Sequence, residues 1–293
     1  MSLDYIDRIE QQGTRVETDV GGCRIVWRRF GSGPDLVLLH GGHGSWLHWI
    51  RNIESLATNR TLWLPDLPGF GDSDAISDEG SDGERLQRLV DVLIESMKQA
   101  RASPQPVDVA AFSFGALVAA HLASRGLVRR LALLGPVGHG GRKPPRAPLA
   151  AGWNRKGQAE REAALRHNLT TLMMDPDNLD DLAVEVYRRQ CNAARFKVKT
   201  LVRTTALLEM MSGFTGSLLL LWGEHDVTGV AVEVGPALQS QRANTTWQVI
   251  PNSGHWVQYE RAATVTALLQ NWFPASPETC QSATRLSEDR RRC

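Results

Sequence analysis

Ser113 sits in Val107-Asp108-Val109-Ala110-Ala111-Phe112-Ser113-Phe114-Gly115-Ala116-Leu117, where an apolar run of strand type empties directly into an Ala- and Leu-rich segment of helix type. Small residues lie two before and two after it, as a tight strand-to-helix turn requires if it is to push a serine oxygen outward. A serine so placed is either an ordinary helix N-cap or a nucleophile. Two later segments favour the nucleophile. The run 218–221 ends in Trp222-Gly223-Glu224-His225-Asp226, and the run 246–250 ends in Pro251-Asn252-Ser253-Gly254-His255-Trp256. Asp226 can fix the tautomer of His255, and His255 can take the proton of Ser113 during attack. Glu224 and His225 are the neighbouring competitors for the acid and base roles.

Attack on a carbonyl also needs donors for the oxygen that becomes negative. The amide of Phe114, at the start of the helix after Ser113, is one candidate. The glycine-dense stretch His40-Gly41-Gly42-His43-Gly44 after the run 36–39 offers Gly42 as the second, with His43 beside it and His40 as a buttress of the loop. A phosphate-binding loop is disfavoured, since neither GxGxxG nor Gly-Lys-Ser/Thr follows the run. In Pro65-Asp66-Leu67-Pro68-Gly69-Phe70-Gly71-Asp72-Ser73, Asp66 and Ser73 are expected to hold a turn, with a catalytic Asp66 as the alternative. His43, Trp46, Phe112, Trp222 and Trp256 lie beside these segments and are the candidate walls of a substrate pocket.

Elements that could bring such distant residues together are legible as an alternation of short β-rich runs and helical patterns, the mark of a mostly parallel sheet covered on both faces. Strands are expected at 16–20 and 23–30, joined by Gly21-Gly22 as a hairpin, and at 36–39, 61–64, 107–111, 131–134, 218–221 and 246–250. The last five are expected to be buried on both faces. Residues 84–100 and 116–124 carry helical spacing, the second capped by Gly126. From 135 to 216 the strand rhythm stops. This segment opens with the loop-like GPVGHGGRKPPRAP and continues with helical patterns at 160–174, 179–191 and 199–211, broken at Asp175-Pro176-Asp177. It is expected to be a helical cap inserted into a core domain formed by 1–134 and 217–274, with 275–293 as a disordered tail.

Composition sets the outer bounds. The 293 residues, 42% hydrophobic, are enough for one α/β domain with a sizeable core. Thirty-three Lys and Arg against 32 Asp and Glu leave a net charge of +1, so no global field draws the chain to nucleic acid or an anionic membrane, and a small-molecule substrate is the default. No apolar run has the length of a signal peptide or a membrane span, which points to a soluble, cytoplasmic protein. Cys23, Cys191, Cys280 and Cys293 form no CxxC pair, so neither a zinc site nor a disulfide framework is expected.

Taken together, HGGHGSWLHW, PDLPGFGDSD, AFSFG, LWGEHD and NSGHWVQYE resemble the α/β-hydrolase superfamily, over a span from the first hairpin to Phe273. The resemblance implies an eight-stranded, mostly parallel sheet and a cap that shapes the pocket, with no metal or organic cofactor. Ala111 departs from the family's usual first glycine by one methyl group. The glycine loop with Trp49 is similar to those of carboxylesterases and of hydrolases that cleave carbon-carbon bonds in ring-fission products. The second group usually has a polar residue before the nucleophile and an asparagine two places after the tryptophan. Here Phe112 and Arg51 hold those places and Asn52 comes one step late, although Arg188, Arg189 or Arg195 could bind a carboxylate from the cap. Haloalkane and fluoroacetate dehalogenases use Asp where this chain has Ser113. The leading expectation is ester hydrolysis through an acyl-enzyme. The alternatives are hydrolysis of a vinylogous diketone acid and a non-catalytic receptor on the same fold.

Overall fold

The computed structural model describes residues 2–101, 103, 105–151, 157–196 and 204–275. Strands β1 (Thr14–Val20), β2 (Cys23–Phe30), β3 (Asp35–Leu39), β4 (Thr61–Pro65), β5 (Val107–Phe112), β6 (Val128–Leu134), β7 (Ser217–Gly223) and β8 (Thr245–Ile250) form one sheet in the order β1-β2-β4-β3-β5-β6-β7-β8. β2 runs antiparallel to β1 and β4, and every other neighbouring pair is parallel. At the turn between β1 and β2, Gly21 and Gly22 have φ of 61° and 84°, the left-handed pair that a two-residue hairpin turn needs.

Helices α1 (Ser2–Gln11), α2 (Ile53–Leu56), α3 (Asp82–Arg101), α4 (Gly115–Ser124), α5 (Gln158–Leu172), α6 (Asp181–Ala193), α7 (Ala206–Met211), α8 (Ala231–Gln241), α9 (Val257–Glu260) and α10 (Ala262–Trp272) complete the order. Alternation along the inner strands divides the core in two. Val37 and Leu39 face one side with α3, α4, α7 and α8, while Leu36 and Leu38 face the other with α1, α2, α5, α6, α9 and α10. Period-2 patterning therefore gives one sheet two apolar faces, and each face is covered by helices. Gly126 ends α4 as expected: it is left-handed at φ 71°, its amide bonds Ala123 O and the next amide reaches back to Leu122 O.

Two expectations need correction or trimming, and one helix is unexpected. β8 is the sheet edge, and Thr246 and Gln248 are exposed, because no further strand or helix among the described residues covers that side. α1 is not announced by the sequence pattern, since only Ile6 and Ile9 bury fully, one turn apart. The helix expected at 199–211 is present as α7, with 199–203 outside the described residues, as are 276–293 of the expected tail and both Cys280 and Cys293. Between β6 and β7 run α5, α6 and α7, and Asp175 caps the 3₁₀ turn Pro176–Asn178 that separates the first two. No described helix is long and apolar enough to cross a membrane.

Candidate active site

After β3 the chain crosses to β4, whereas after β5 it crosses to β6 on the other side. The loops leaving β3 and β5 therefore diverge and open a crevice at the carboxyl ends of the strands, the usual place for a site in an open α/β sheet. Ser113 lies at that point with φ of 52°, a left-handed backbone that only a tightly held turn imposes on a serine. Its amide bonds Leu134 O at 2.9 Å, and its carbonyl accepts from Ala116 N at 3.0 Å as α4 begins. A Cβ on Gly115 would meet His40 O at 2.6 Å, so glycine is needed there. Ala111, fully buried in β5, accommodates its methyl group within the core.

The structure brings the three distant side chains together. His255 Nε2 is 2.8 Å from Ser113 Oγ, and His255 Nδ1 is 2.9 Å from Asp226 Oδ2. Asp226 Oδ1 accepts from both the amide and the hydroxyl of Thr228, each at 2.7 Å. Burial pushes the Asp226 carboxyl upward, but the His255 ring and the two Thr228 donors outweigh it and leave the carboxyl below its ordinary range. Backbone bonds from Glu224 N to Ile250 O and from His225 N to Ser253 O hold the acid loop against the histidine loop. The competitors face elsewhere. Glu224 accepts from Asn252 N, and His225 Nδ1 meets Asp175 Oδ2 at 2.6 Å.

Gly135, the residue after β6, forms the floor of this arrangement. Its φ is 48°, and a Cβ there would lie 2.7 Å from His255 Nδ1 and 2.9 Å from Asp226 Oδ2. Neither Gly135 nor Thr228 is singled out by the sequence. The only signals were a glycine directly after an apolar run and a threonine two places after the acid.

Gly42 and Phe114 border one cavity with Ser113 and His255, and a Cβ on Gly42 would lie 3.7 Å from Phe114 Cβ. Among the described residues no backbone carbonyl takes up either amide. His40 and His48 hold the glycine loop. His40 Nε2 accepts from Leu67 N, so its Nδ1 carries the proton donated to Gly41 O, while His48 Nδ1 accepts from Gly41 N. Asp66 and Ser73 are turn residues: Asp66 binds Arg28, Trp46 N and Asp72 N, and Ser73 Oγ links Asp66 O to Val26 N.

Burial lowers the His40 ring to about 4 and holds the His48 ring well below its ordinary value, so both are neutral at pH 7. Between pH 6.5 and 4 the unfolded chain binds a proton at position 40 that the native protein refuses. The stability that His40 contributes above pH 6.5 is thus lost as pH falls through that window, by about 2–3 kcal/mol at pH 4.5. Glu260, lifted to about 6 chiefly by burial, acts in the opposite direction between pH 4.5 and 6. Urea titrations at pH 7 and 4.5 should therefore show a smaller loss in His40→Gln than in the wild type, and equal losses would refute the assignment.

The cavity above Ser113 holds about 730 Å³. Of the five candidate wall residues, His43 lines it and the other four do not. Phe112 is buried under His255, ring centroids 4.8 Å apart, and Trp256 stacks on Tyr259 at 4.2 Å. Trp222 is fully buried in β7, and Trp46 packs beneath Arg28 and against Phe30. The arginines proposed for carboxylate binding are engaged elsewhere: Arg188 and Arg189 pair with Glu185, and Arg195 bonds Gly71 O and Ser73 O. Asn52 points into α10 at Thr266, and Arg51 pairs with Asp180. The cavity is lined instead by Phe70, Phe114, Phe196, Leu172, Met173 and Tyr187, with Lys143 and Arg146 among the remainder.

Similarity to known proteins follows the same lines. Over 99 residues the chain is 35% identical to a pimeloyl-[acyl-carrier protein] methyl ester esterase of Vibrio campbellii, a match spanning 34% of this chain and only 35% of that protein. A 2-hydroxy-6-oxononadienedioate/2-hydroxy-6-oxononatrienedioate hydrolase of Cupriavidus pinatubonensis is 27% identical over 263 residues, 82% of this chain and 86% of that one. In fold, a carboxylesterase of Bacillus subtilis superposes with a TM-score of 0.72 at 14% identity, covering 94% of this chain and 99% of its own. An esterase of Rhodococcus superposes with a TM-score of 0.69 at 21% identity, covering 89% and 98%. The sequence profile of the alpha/beta hydrolase family matches residues 36–268, and with this sheet and crevice the chain belongs to that family.

Proposed function

We propose that the protein is a serine hydrolase that cleaves a small-molecule ester through an acyl-enzyme, beneath a cap formed by residues 135–216. The observation that carries this reading is the continuous chain from Ser113 Oγ to His255 Nε2 at 2.8 Å and from His255 Nδ1 to Asp226 Oδ2 at 2.9 Å, with the serine open to a cavity. Ser113 Oγ attacks the carbonyl carbon as its proton passes to His255 Nε2. The carbonyl oxygen becomes an oxyanion to which the Gly42 and Phe114 amides donate hydrogen bonds, the latter with the start of α4 behind it. Collapse breaks the bond to the alcohol, which leaves with the proton from His255. Water then gives a proton to His255 and its oxygen to the acyl carbon, and His255 passes that proton to Ser113 as the acid departs.

A fluorophosphonate probe tests this at the reacting atom. Wild-type protein should form a stable adduct on the peptide containing Ser113, and folded protein that stays unlabelled would favour the receptor alternative. Carbon-carbon bond hydrolysis is the second reading, favoured by the similarity to the Cupriavidus hydrolase over 82% of this chain. Against it stand Asn52 and Arg51, which bind α10 and Asp180 rather than the cavity. Turnover confined to an acidic ring-fission dienone, with no cleavage of activated esters, would reverse the order.

A further inference from the structure

β8 ends the sheet, so among the described residues the loop that follows it and carries His255 has a neighbouring strand on one side only. On that side the backbone bonds to the Asp226 loop hold it. The other side is supplied from outside the sheet, by the turn between α5 and α6. Both flanks of His255 are tied to that turn. Trp256 N donates to Met173 O, and Gly254 N donates to Glu260 Oε1 at 2.8 Å, while Glu260 Oε2 accepts from Asp175 N and Asn178 Nδ2, each at 2.8 Å. Asn178 Nδ2 also reaches Asn252 O at 2.9 Å, and a Cβ on Gly254 would lie 2.9 Å from Met174 C and Cα. Leu172 and Met173, immediately before this turn, line the cavity above Ser113.

Glu260 is the hub of this seam, 8% exposed at the end of α9. Three N–H groups point at its two oxygens, and none of them can use a proton from it. Its sequence neighbour Arg261 is turned to Pro251 O and Asn252 O, and the Asp175 carboxylate pairs with His225, the residue before Asp226. Burial lifts the Glu260 carboxyl to about 6 against the pull of the three donors, so at pH 8 it is ionised. A glutamine of the same shape cannot replace it. It has one acceptor and one NH₂, so whichever way the amide turns a donor faces a donor, either at Gly254 N or at Asp175 N and Asn178 Nδ2.

We propose that Glu260 is a positioning residue for His255: its carboxylate fixes the loop of the base against the turn after Leu172 and Met173, so that Nε2 stays over Ser113 Oγ both when it takes a proton and when it gives one. This rests on the serine hydrolase reading above, in its proton transfer from Ser113 to His255. An imidazole displaced by a fraction of an ångström still meets the hydroxyl at rest, but loses its alignment with the alcohol to which it must pass the proton. The loss therefore falls hardest on esters whose alcohol is a poor leaving group.

Two readouts at pH 8 test it, each independent of how much of the protein is folded. The first is the rate constant for fluorophosphonate labelling of Ser113, since a misfolded fraction lowers the extent of labelling and leaves the rate constant alone. The second is the ratio of kcat/KM for p-nitrophenyl butyrate to that for ethyl butyrate, because p-nitrophenolate departs without a proton and ethoxide needs one from His255. In Glu260→Gln the rate constant should fall about tenfold and the ratio should rise about tenfold. Asn178→Ala removes the half-buried donor of the turn and leaves the Gly254 bond in place, so it should shift both readouts in the same directions by about threefold. Either readout left at its wild-type value in folded Glu260→Gln protein, even with a lower extent of labelling, would overturn the inference. Where Glu260→Gln does not fold, an Asn178→Ala protein with both readouts unchanged would do the same. If the wild type cleaves neither ester and labelling still slows as expected in Glu260→Gln, the ester reading falls and this inference stands.

Discussion

Ser113→Ala should lower kcat for an activated ester by about 10⁴–10⁶-fold while leaving KM within a few-fold. The size follows from what is removed. Without the oxygen there is no acyl-enzyme, and the residual rate comes from binding and from the Gly42 and Phe114 amides donating to the carbonyl oxygen as water attacks directly. The fold should tolerate the change, because alanine meets the same left-handed φ of 52° that serine already endures and fills no new space. Urea unfolding should place the variant within about 1 kcal/mol of the wild type. A folded Ser113→Ala protein with wild-type turnover would refute the mechanism.

Asp226→Asn should cost about 10⁴-fold in kcat, through the proton on the wrong nitrogen rather than through lost packing. The Thr228 amide and hydroxyl both donate to Oδ1 at 2.7 Å, so the Asn carbonyl oxygen is held on that side. Its NH₂ then takes the place of Oδ2, 2.9 Å from His255 Nδ1. A donor there requires Nδ1 to be an acceptor, the imidazole proton moves to Nε2, and His255 offers Ser113 a proton instead of removing one. The measurement is kcat across pH together with fluorophosphonate labelling, which should slow in parallel. A loss of less than about tenfold would show that the acid does not set the tautomer.

The meeting of Ser113, Asp226 and His255 is legible in the sequence and the cavity wall is not, for one reason. Ser113, Asp226 and His255 each follow a short apolar run, and in a parallel sheet the carboxyl end of every such run is at the same edge, so chain order alone predicts a meeting. A wall residue is decided by the direction of its side chain. Trp222 and Trp256 are next to the right loops, yet one points into β7's core and the other stacks on Tyr259. Arg188 and Arg189 looked available on a helix, but Glu185 is three and four places back and takes both. Lys143 and Arg146 belong to a segment with no periodicity, and only the path of the chain in space brings them over Ser113. β8 was placed correctly, but its exposure depends on which strand ends the sheet, and no local pattern records that.

Gly135 divides the site into a part that can be redesigned and a part that cannot. A side chain there would press on the imidazole and the carboxylate from 2.7 and 2.9 Å, so a library that varies this position samples mostly dead enzymes. Leu172, Met173, Tyr187 and Phe196 roof the same cavity from segments outside the sheet. Directed variation should therefore be spent on the roof, where the shape of the chamber can change while the proton path stays in register.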